Sequence, residues 1–235
     1  MQSLVAQFIR TWLSSPSVDV GEKATRALGD LLDVDSANRP AGVLDVQMNN
    51  GSLTLRAPPP GQGLLWRRIF ADRTIYASIY DLCSNTTIGA GEGQLDERQK
   101  SLAQGRLLRL LPRLAVLDFG ATSRSQFADV KAQYIPTQQG GHGQGKNGLL
   151  WFASTAMVDR KDVLMHITLL DFFAELLTVL SETERSAAEI EYLRALMREV
   201  VRDDLTMYKS LEALTANEAS SPELVQLLAR LNEAR

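Results

Sequence analysis

The chain has 235 residues, of which 45% are hydrophobic, and its formal net charge is −3. This length and hydrophobic content are enough to bury a substantial core, which excludes a chain that is disordered throughout. Cys83 is the only cysteine, and His142 and His166 are the only histidines, so an intramolecular disulfide is excluded and a Cys/His zinc site lacks ligands.

The N-terminal segment is predicted to form a helical hairpin. Apolar residues recur at helical spacing on both sides of a break at residues 14–16, namely Leu4, Val5, Phe8, Ile9 and Trp12, then Val20, Ala24, Ala27, Leu28 and Leu31. The first residues carry no basic run followed by an apolar core, which is the pattern of a secretory signal. We therefore expect the protein in the cytoplasm or the nucleus.

A short insertion follows at about residues 43–55. Polarity alternates through Leu44, Val46 and Met48, and again through Leu53 and Leu55, on either side of an Asn-Asn-Gly sequence. This pattern is typical of a small β-hairpin. An irregular loop accounts for the same residues equally well.

Helical patterns fill the rest of the chain. They cover residues 64–70, 75–83, a segment from Asp96 with a leucine stripe, 149–158, 163–180, 183–214 and 222–234. Pro112 is expected to kink or divide the helix that starts at Asp96. Ser181 and Glu184 have the spacing of a capping box. The sequence thus predicts an all-α chain with loops at about 36–62, 85–95 and 133–147.

A short sequence that occurs twice in the chain refines this fold prediction. The sequence Gly-Leu-Leu-Trp occurs at residues 63–66 and again at residues 148–151, and each copy precedes an Asp-Arg pair. The offset is about twice the ~40–47 residue period of HEAT and armadillo units. We therefore expect residues 1–235 to form one HEAT/armadillo-like α-solenoid, although chance recurrence in a leucine-rich chain is the alternative.

The segment 163–180 is apolar enough to suggest a membrane span, but His166, Asp171 and Glu175 interrupt it. We interpret it as a buried helix with one polar edge, formed by Thr168, Asp171, Glu175 and Thr178. His166 is expected to be a core histidine bonded to a backbone carbonyl. Asp159 and Asp162 are expected to cap the helix that follows them.

A glycine-rich run at residues 140–147 nearly matches a phosphate-binding loop. Asn147 stands where such a loop needs a hydroxyl residue, and no buried strand leads into the run. Glycine and glutamine composition explains the run as a linker. We therefore predict no cofactor, no metal site and no catalytic residue, and hence no enzyme.

The distribution of arginines suggests a surface that contacts a partner, rather than a catalytic site. Arg98, Arg106, Arg109 and Arg113 recur on the helix face opposite the leucine stripe, and Arg67 and Arg68 extend the basic character. Such a ridge could bind carboxylates of a partner, or it could be a solvated face. Three aromatic residues, Trp66, Tyr76 and Tyr80, are alternative anchors because large amphipathic side chains suit interfaces.

Several separated segments resemble one known family. They are SSPSVDVGEKA from Ser14, GQGLLWRRIFADRTIYASIYDLCS from Gly61, SLAQGRLLRLLPRLAVLDF from Ser101 and GLLWFASTAMVDRKDVLMHITLLDFFAELL from Gly148. Together they resemble the fungal 26S proteasome base-assembly chaperones, a family also described as DNA mismatch-repair proteins. The resemblance spans most of residues 1–180 and rests on helix-packing patterns.

The resemblance implies a HEAT-like solenoid that holds the C-terminal domain of one AAA ATPase subunit while the base of the regulatory particle is assembled. It implies no enzymatic activity and supplies no contact residue. Family members are longer, so the chain resembles either one part of the superhelix, in particular its C-terminal part, or a truncated relative. The alternatives are a DNA mismatch-repair accessory factor and a general HEAT-repeat scaffold. A net charge of −3 argues against nucleic acid as the partner.

Overall fold

The computed structural model describes residues 4–38, 45–49, 52–56, 59–85, 95–135, 147–216 and 220–232. The chain is all-α, and twelve helices lie in these residues. They are α1 (Leu4–Ser14), α2 (Val18–Asp35), α3 (Leu64–Phe70), α4 (Arg73–Cys83), α5 (Glu97–Leu117), α6 (Phe119–Ser123), α7 (Ala128–Tyr134), α8 (Leu149–Thr155), α9 (Val163–Ser181), α10 (Ala187–Val201), α11 (Leu205–Ala216) and α12 (Pro222–Asn232).

A single strand pair accompanies these helices in the described residues. Strands β1 (Asp45–Asn49) and β2 (Ser52–Arg56) pair antiparallel, with Asn49 opposite Ser52 and Asp45 opposite Arg56. Of the two sequence interpretations of this insertion, the structure therefore has the hairpin. The glycine-rich run at residues 140–146 lies outside the described residues.

Side-chain caps explain where several helices begin. The Asp96 carboxylate accepts a hydrogen bond from the backbone N–H of Gln99, and the side-chain oxygen of Gln99 accepts one from the backbone N–H of Asp96, which forms a capping box at the start of α5. Asp162 caps α9 as predicted, because its carboxylate accepts from the amides of Leu164 and Met165. Asp159 instead caps a turn, accepting from the amide of Lys161.

Two boundary predictions were wrong. The capping box near the start of α10 is formed by Ser186 and Glu189, not by Ser181 and Glu184, because α9 continues to Ser181. The predicted helix over 183–214 is two helices, since the chain turns at residues 202–204 and Asp204 caps α11 through the Met207 amide. Pro112 lies inside α5 and does not divide it.

Helix α5 occupies the centre of the fold. It packs against α1, α2 and α4 on the N-terminal side and against α6, α8 and α9 on the C-terminal side. One row of helices follows chain order, since α2 packs on α5, α5 on α9 and α9 on α12. A second set lies beside it, in which α1 packs on α4 and α8 packs on α10.

The helix α9 belongs to the core. It is the one helix of the described residues that is long and apolar enough to cross a membrane by length and composition. However, it packs against α5, α11 and α12, and it buries Met165, Leu169, Phe172, Phe173, Leu176, Leu177 and Leu180. Of the predicted polar edge, Asp171, Glu175 and Thr178 are exposed and Thr168 is half-buried. Val163, Leu164 and Ile167 are exposed as well.

The two copies of Gly-Leu-Leu-Trp begin similar local structures. Each glycine precedes a seven-residue helix, α3 or α8. The Gly63 amide donates to the carbonyl of Asp35 and the Gly148 amide donates to the carbonyl of Ser123, each over 2.8 Å, and each acceptor is the last residue of an earlier helix. The helices that follow differ in position, because α4 packs on α1 whereas α9 packs on α5.

Gly148 is required by close backbone contact. A Cβ atom at this position would lie 2.7 Å from the backbone oxygen atoms of Thr122 and Arg124. We therefore expect Gly148→Ala to lower the free energy of unfolding by about 1–3 kcal/mol, as overpacking does. Gly105, inside α5, has open space around a Cβ. Gly105→Ala should raise stability by up to about 1 kcal/mol. Urea unfolding checks both, and equal midpoints for the two variants would contradict the close contact.

Candidate partner-binding groove

Arg106 is a buried structural residue. Its guanidinium donates to the carbonyls of Trp12 at 2.9 Å, Leu13 at 3.1 Å and Ser17 at 2.9 Å. The first two carbonyls end α1, where a helix has no backbone donors left for them. The third belongs to the N-cap of α2. One side chain of α5 therefore fixes the turn between α1 and α2, and its burial lowers the pKa of Arg106.

The neighbouring arginines also face α2. Arg113 binds the carboxylates of Asp30, at 2.8 Å, and of Asp33. These hydrogen bonds oppose the effect of desolvation and raise the pKa of Arg113. Arg109 reaches Glu22 over 3.4 Å and is otherwise exposed. Within the predicted ridge, Arg106 and Arg113 thus form interhelical contacts, whereas Arg109 reaches α2 but stays largely exposed.

Two glycines of α2 make room for this contact. A Cβ at Gly21 would lie 1.9 Å from Nε of Arg106, and a Cβ at Gly29 would lie 2.4 Å from Nη1 of Arg113. Both glycines are buried. The spacing of the glycines nearly matches that of the two arginines, which is a sequence signal for helix pairing that sequence reasoning missed.

The aromatic residues that were predicted as alternative interface anchors are buried as well. Trp66 donates through its indole N–H to the carbonyl of Leu32 over 2.9 Å. The hydroxyls of Tyr76 and Tyr80 lie 3.1 Å apart in the core, and the Tyr80 ring lies 4.4 Å from that of Phe152 on α8. Burial raises the pKa of both tyrosines. Trp66 thus joins α3 to α2, and the tyrosines join α4 to its neighbours.

Arg67 and Arg68 are exposed but engaged locally. Arg67 donates to the carbonyl of Gly63 over 3.3 Å, and Arg68 lies 3.3 Å from Asp72 one turn further along the chain. An exposed pair of this kind contributes little to stability. The structure does not bring these two arginines together with Arg106, Arg109 or Arg113 at one surface.

A groove of about 610 Å³ runs between α2, α5 and α9. Helix α5 forms its floor, α2 one wall and α9 the other. Its lining is partly apolar, with Val18, Leu102, Leu108, Leu164, Met165 and Phe172. Of these, Leu164 is 76% exposed, so it presents most of its apolar surface to solvent. An apolar groove with a polar rim is typical of a binding surface.

The rim of the groove is charged on both sides. Asp171 and Glu175 lie one turn apart on α9, and both are exposed. Arg98 and Arg109 lie on the α5 side. Among the residues that the structure describes, Asp171, Glu175 and Arg98 form no ion pair. Of the predicted ridge, Arg98, Arg106 and Arg109 line the groove, and Arg98 and Arg109 are exposed there.

His166 lies on another side of α9. Its Nε2 atom is 2.8 Å from the carboxylate of Asp204, which also lies 3.4 Å from Arg160. The expected backbone carbonyl partner is therefore replaced by a carboxylate. Arg160 donates in addition to the carbonyl of Val200 over 2.8 Å. This cluster fixes the start of α11 against α9, and these contacts explain its charged side chains without a further role.

The described part of the chain contains no group of three or more His, Cys, Asp or Glu side chains placed to hold a metal ion. Burial raises the pKa of Cys83, the only cysteine, and so disfavours the reactive thiolate.

Comparisons of the chain with known protein families, curated proteins and solved structures find no match.

The role of Arg106 leads to a stability test. Arg106→Met keeps the apolar stem but leaves buried carbonyls without their charged donor, so we expect the free energy of unfolding to fall by about 2–4 kcal/mol. Arg109→Met is the matched control, because the Arg109 side chain is 66% exposed. It should change stability by less than about 0.5 kcal/mol. Chemical unfolding measures both, and similar values would show that Arg106 does not fix the α1–α2 turn.

Proposed function

We propose that this protein is a binding scaffold that holds a segment of another protein in the groove between α2, α5 and α9. The observation that carries the proposal is the combination on one surface of exposed Leu164 with charged side chains that form no ion pair. Exposed apolar area costs solvation free energy that a partner recovers on binding. The charges on the rim orient that partner.

The proposed architecture is a HEAT-like helical stack. This proposal is supported by the row of helices that follows chain order, in which α2 packs on α5, α5 on α9 and α9 on α12. In a stack of helical hairpins each unit contacts its neighbours in this way, and one row of helices lines the inner surface. The groove lies along this row, so we place the binding surface on the inner side of the stack.

For the partner, we propose the C-terminal domain of an AAA ATPase subunit of the proteasome regulatory particle, held while the base is assembled. The support for this choice is the resemblance of the segments within residues 1–180 to base-assembly chaperones. Four carboxylates line the groove, those of Glu22, Asp162, Asp171 and Glu175, against three arginines. This balance favours a protein over the phosphate backbone of a nucleic acid.

The test uses separately purified C-terminal domains of the ATPase subunits, titrated calorimetrically into the protein. We expect one domain to bind, and Leu164→Ser to weaken that binding about tenfold or more, because truncating a central apolar contact commonly costs over 1 kcal/mol. Leu31→Ser is the matched control, since Leu31 is also an exposed leucine but lies on α2 outside the groove.

Both variants should keep the helical content and melting temperature of the parent, because neither leucine is part of the buried core. If no ATPase domain binds, the proposed partner is wrong. If a domain binds and Leu164→Ser binds it as tightly as the parent does, the groove is not the binding surface.

A further inference from the structure

An apolar stripe runs along the outer face of α2. Val20, Leu31 and Val34 are 47%, 54% and 59% exposed. Ala27 is exposed between them and Ala24 is half-buried. The five residues follow one another at intervals of four, three, four and three, which is the spacing of a seam between two helices. The sequence pattern had suggested that most of this set faces the core.

The core face of α2 is a different one. It consists of Gly21, Thr25, Leu28, Gly29 and Leu32, which pack toward α1, α3 and α5. At 100° per residue, the centre of the stripe lies about a third of a turn away from the centre of this buried face. The groove residues Val18 and Glu22 lie on the far side of the buried face from the stripe. The stripe is therefore separate from the proposed binding groove.

The stripe is complementary to itself. If a second α2 lies antiparallel to the first, with Ala27 of one copy opposite Ala27 of the other, then Val20 meets Val34 at both ends. Ala24 then meets Leu31, so that a small side chain faces a large one, as in well-packed helix pairs. The central pair of alanines allows the two backbones to approach closely.

The charges beside the stripe fit the same arrangement. Lys23 and Asp30 lie on one flank of the stripe, and both are exposed. The Asp30 carboxylate binds Arg113 of its own chain at 2.8 Å, but 70% of the Asp30 side chain stays exposed and can meet a second cation. A two-fold axis through Ala27 keeps this flank on the same side in both copies. Lys23 of each copy therefore lies near Asp30 of the other, and opposite charges across a helix pair favour that register.

We propose that α2 is a self-association surface, on which a second copy of this chain binds through an antiparallel pair of α2 helices. One helix from each copy makes a small interface, at the low end of specific interfaces, below about 1,200 Å² in total. The dimer is therefore weak and depends on concentration. Pairing through α2 leaves the groove of each copy open.

The first experiment is sedimentation velocity at increasing concentrations of the whole chain. The parent should shift from monomer to dimer, and Leu31→Ser should remain monomeric over the same range. Leu164→Ser should dimerise like the parent. A parent that stays monomeric throughout overturns the proposal, and so does a Leu31→Ser variant that still dimerises.

The second experiment tests the register by disulfide cross-linking. Ala27→Cys should form an intermolecular disulfide under mild oxidation, because close helix pairing brings the two Cα atoms toward the 4.4–6.8 Å that a disulfide needs. Val20→Cys should not cross-link to itself, but should cross-link to Val34→Cys when the two are mixed. Self-linking of Val20→Cys, or no link through Ala27→Cys, overturns the antiparallel pair. The native Cys83 is buried and does not interfere.

The two proposals can fail independently. Leu31→Ser removes the stripe and keeps the groove, whereas Leu164→Ser removes the groove contact and keeps the stripe. If the ATPase domain protects Ala27→Cys from alkylation while the protein is monomeric, the stripe binds the partner and self-association is overturned. If dimers form and no ATPase domain binds, only the proposed function fails.

Discussion

The fold depends on the contact of the Arg106 guanidinium with the end of α1. Three carbonyls from two helices converge on this one side chain, and it comes from a third helix about ninety residues further along the chain. The carbonyls of Trp12 and Leu13 lie in the last turn of α1, where the helix supplies no further backbone donors, so the charge satisfies the helix end and the helix end compensates the buried charge. The Ser17 carbonyl also accepts from the Gly21 amide over 3.1 Å. Gly21 is the complement of this contact, because any larger residue would occupy the space of the guanidinium.

Once α2 is fixed on α5, its other surfaces are determined. Leu28 and Leu32 turn inward, Val18 and Glu22 turn toward the groove, and the stripe from Val20 to Val34 turns outward. Trp12 strengthens the same junction, since its indole N–H donates over 2.8 Å to Thr25, whose hydroxyl in turn donates to the carbonyl of Gly21. A short polar chain therefore runs beneath an otherwise apolar contact. The junction of α1, α2 and α5 therefore sets the positions of both the groove and the stripe.

The sequence predicted most of the helices because their signals are local, but it missed the short helices α6 and α7. Apolar spacing and caps such as Asp96 and Asp162 act within a few residues of where they occur. The roles of individual faces were harder to predict. Periodicity shows that Arg106, Arg109 and Arg113 share a side of α5, but it does not show that α2 covers that side with glycines. Likewise, the spacing of Tyr76 and Tyr80 suits a surface as well as a core, and only their contact with α8 distinguishes the two. The groove needs three helices that are distant in sequence, so no local pattern reveals it.

Helix α9 shows how folding and binding can be separated on one element. Its core contacts come from residues such as Leu169, Phe173 and Leu176, which are completely buried. Val163, Leu164 and Ile167 lie on the opposite side at the start of the helix and contribute little to that core. Their apolar surface is not needed to hold α9 against α5 and α12, yet it carries a cost in solubility. Among these residues, Leu164 lines the groove, where it supplies the apolar surface on which the proposed binding depends. Further along the same edge of α9, the exposed side chains are the carboxylates of Asp171 and Glu175. Because one end of the edge is apolar and the other acidic, a complementary partner can bind it in only one orientation.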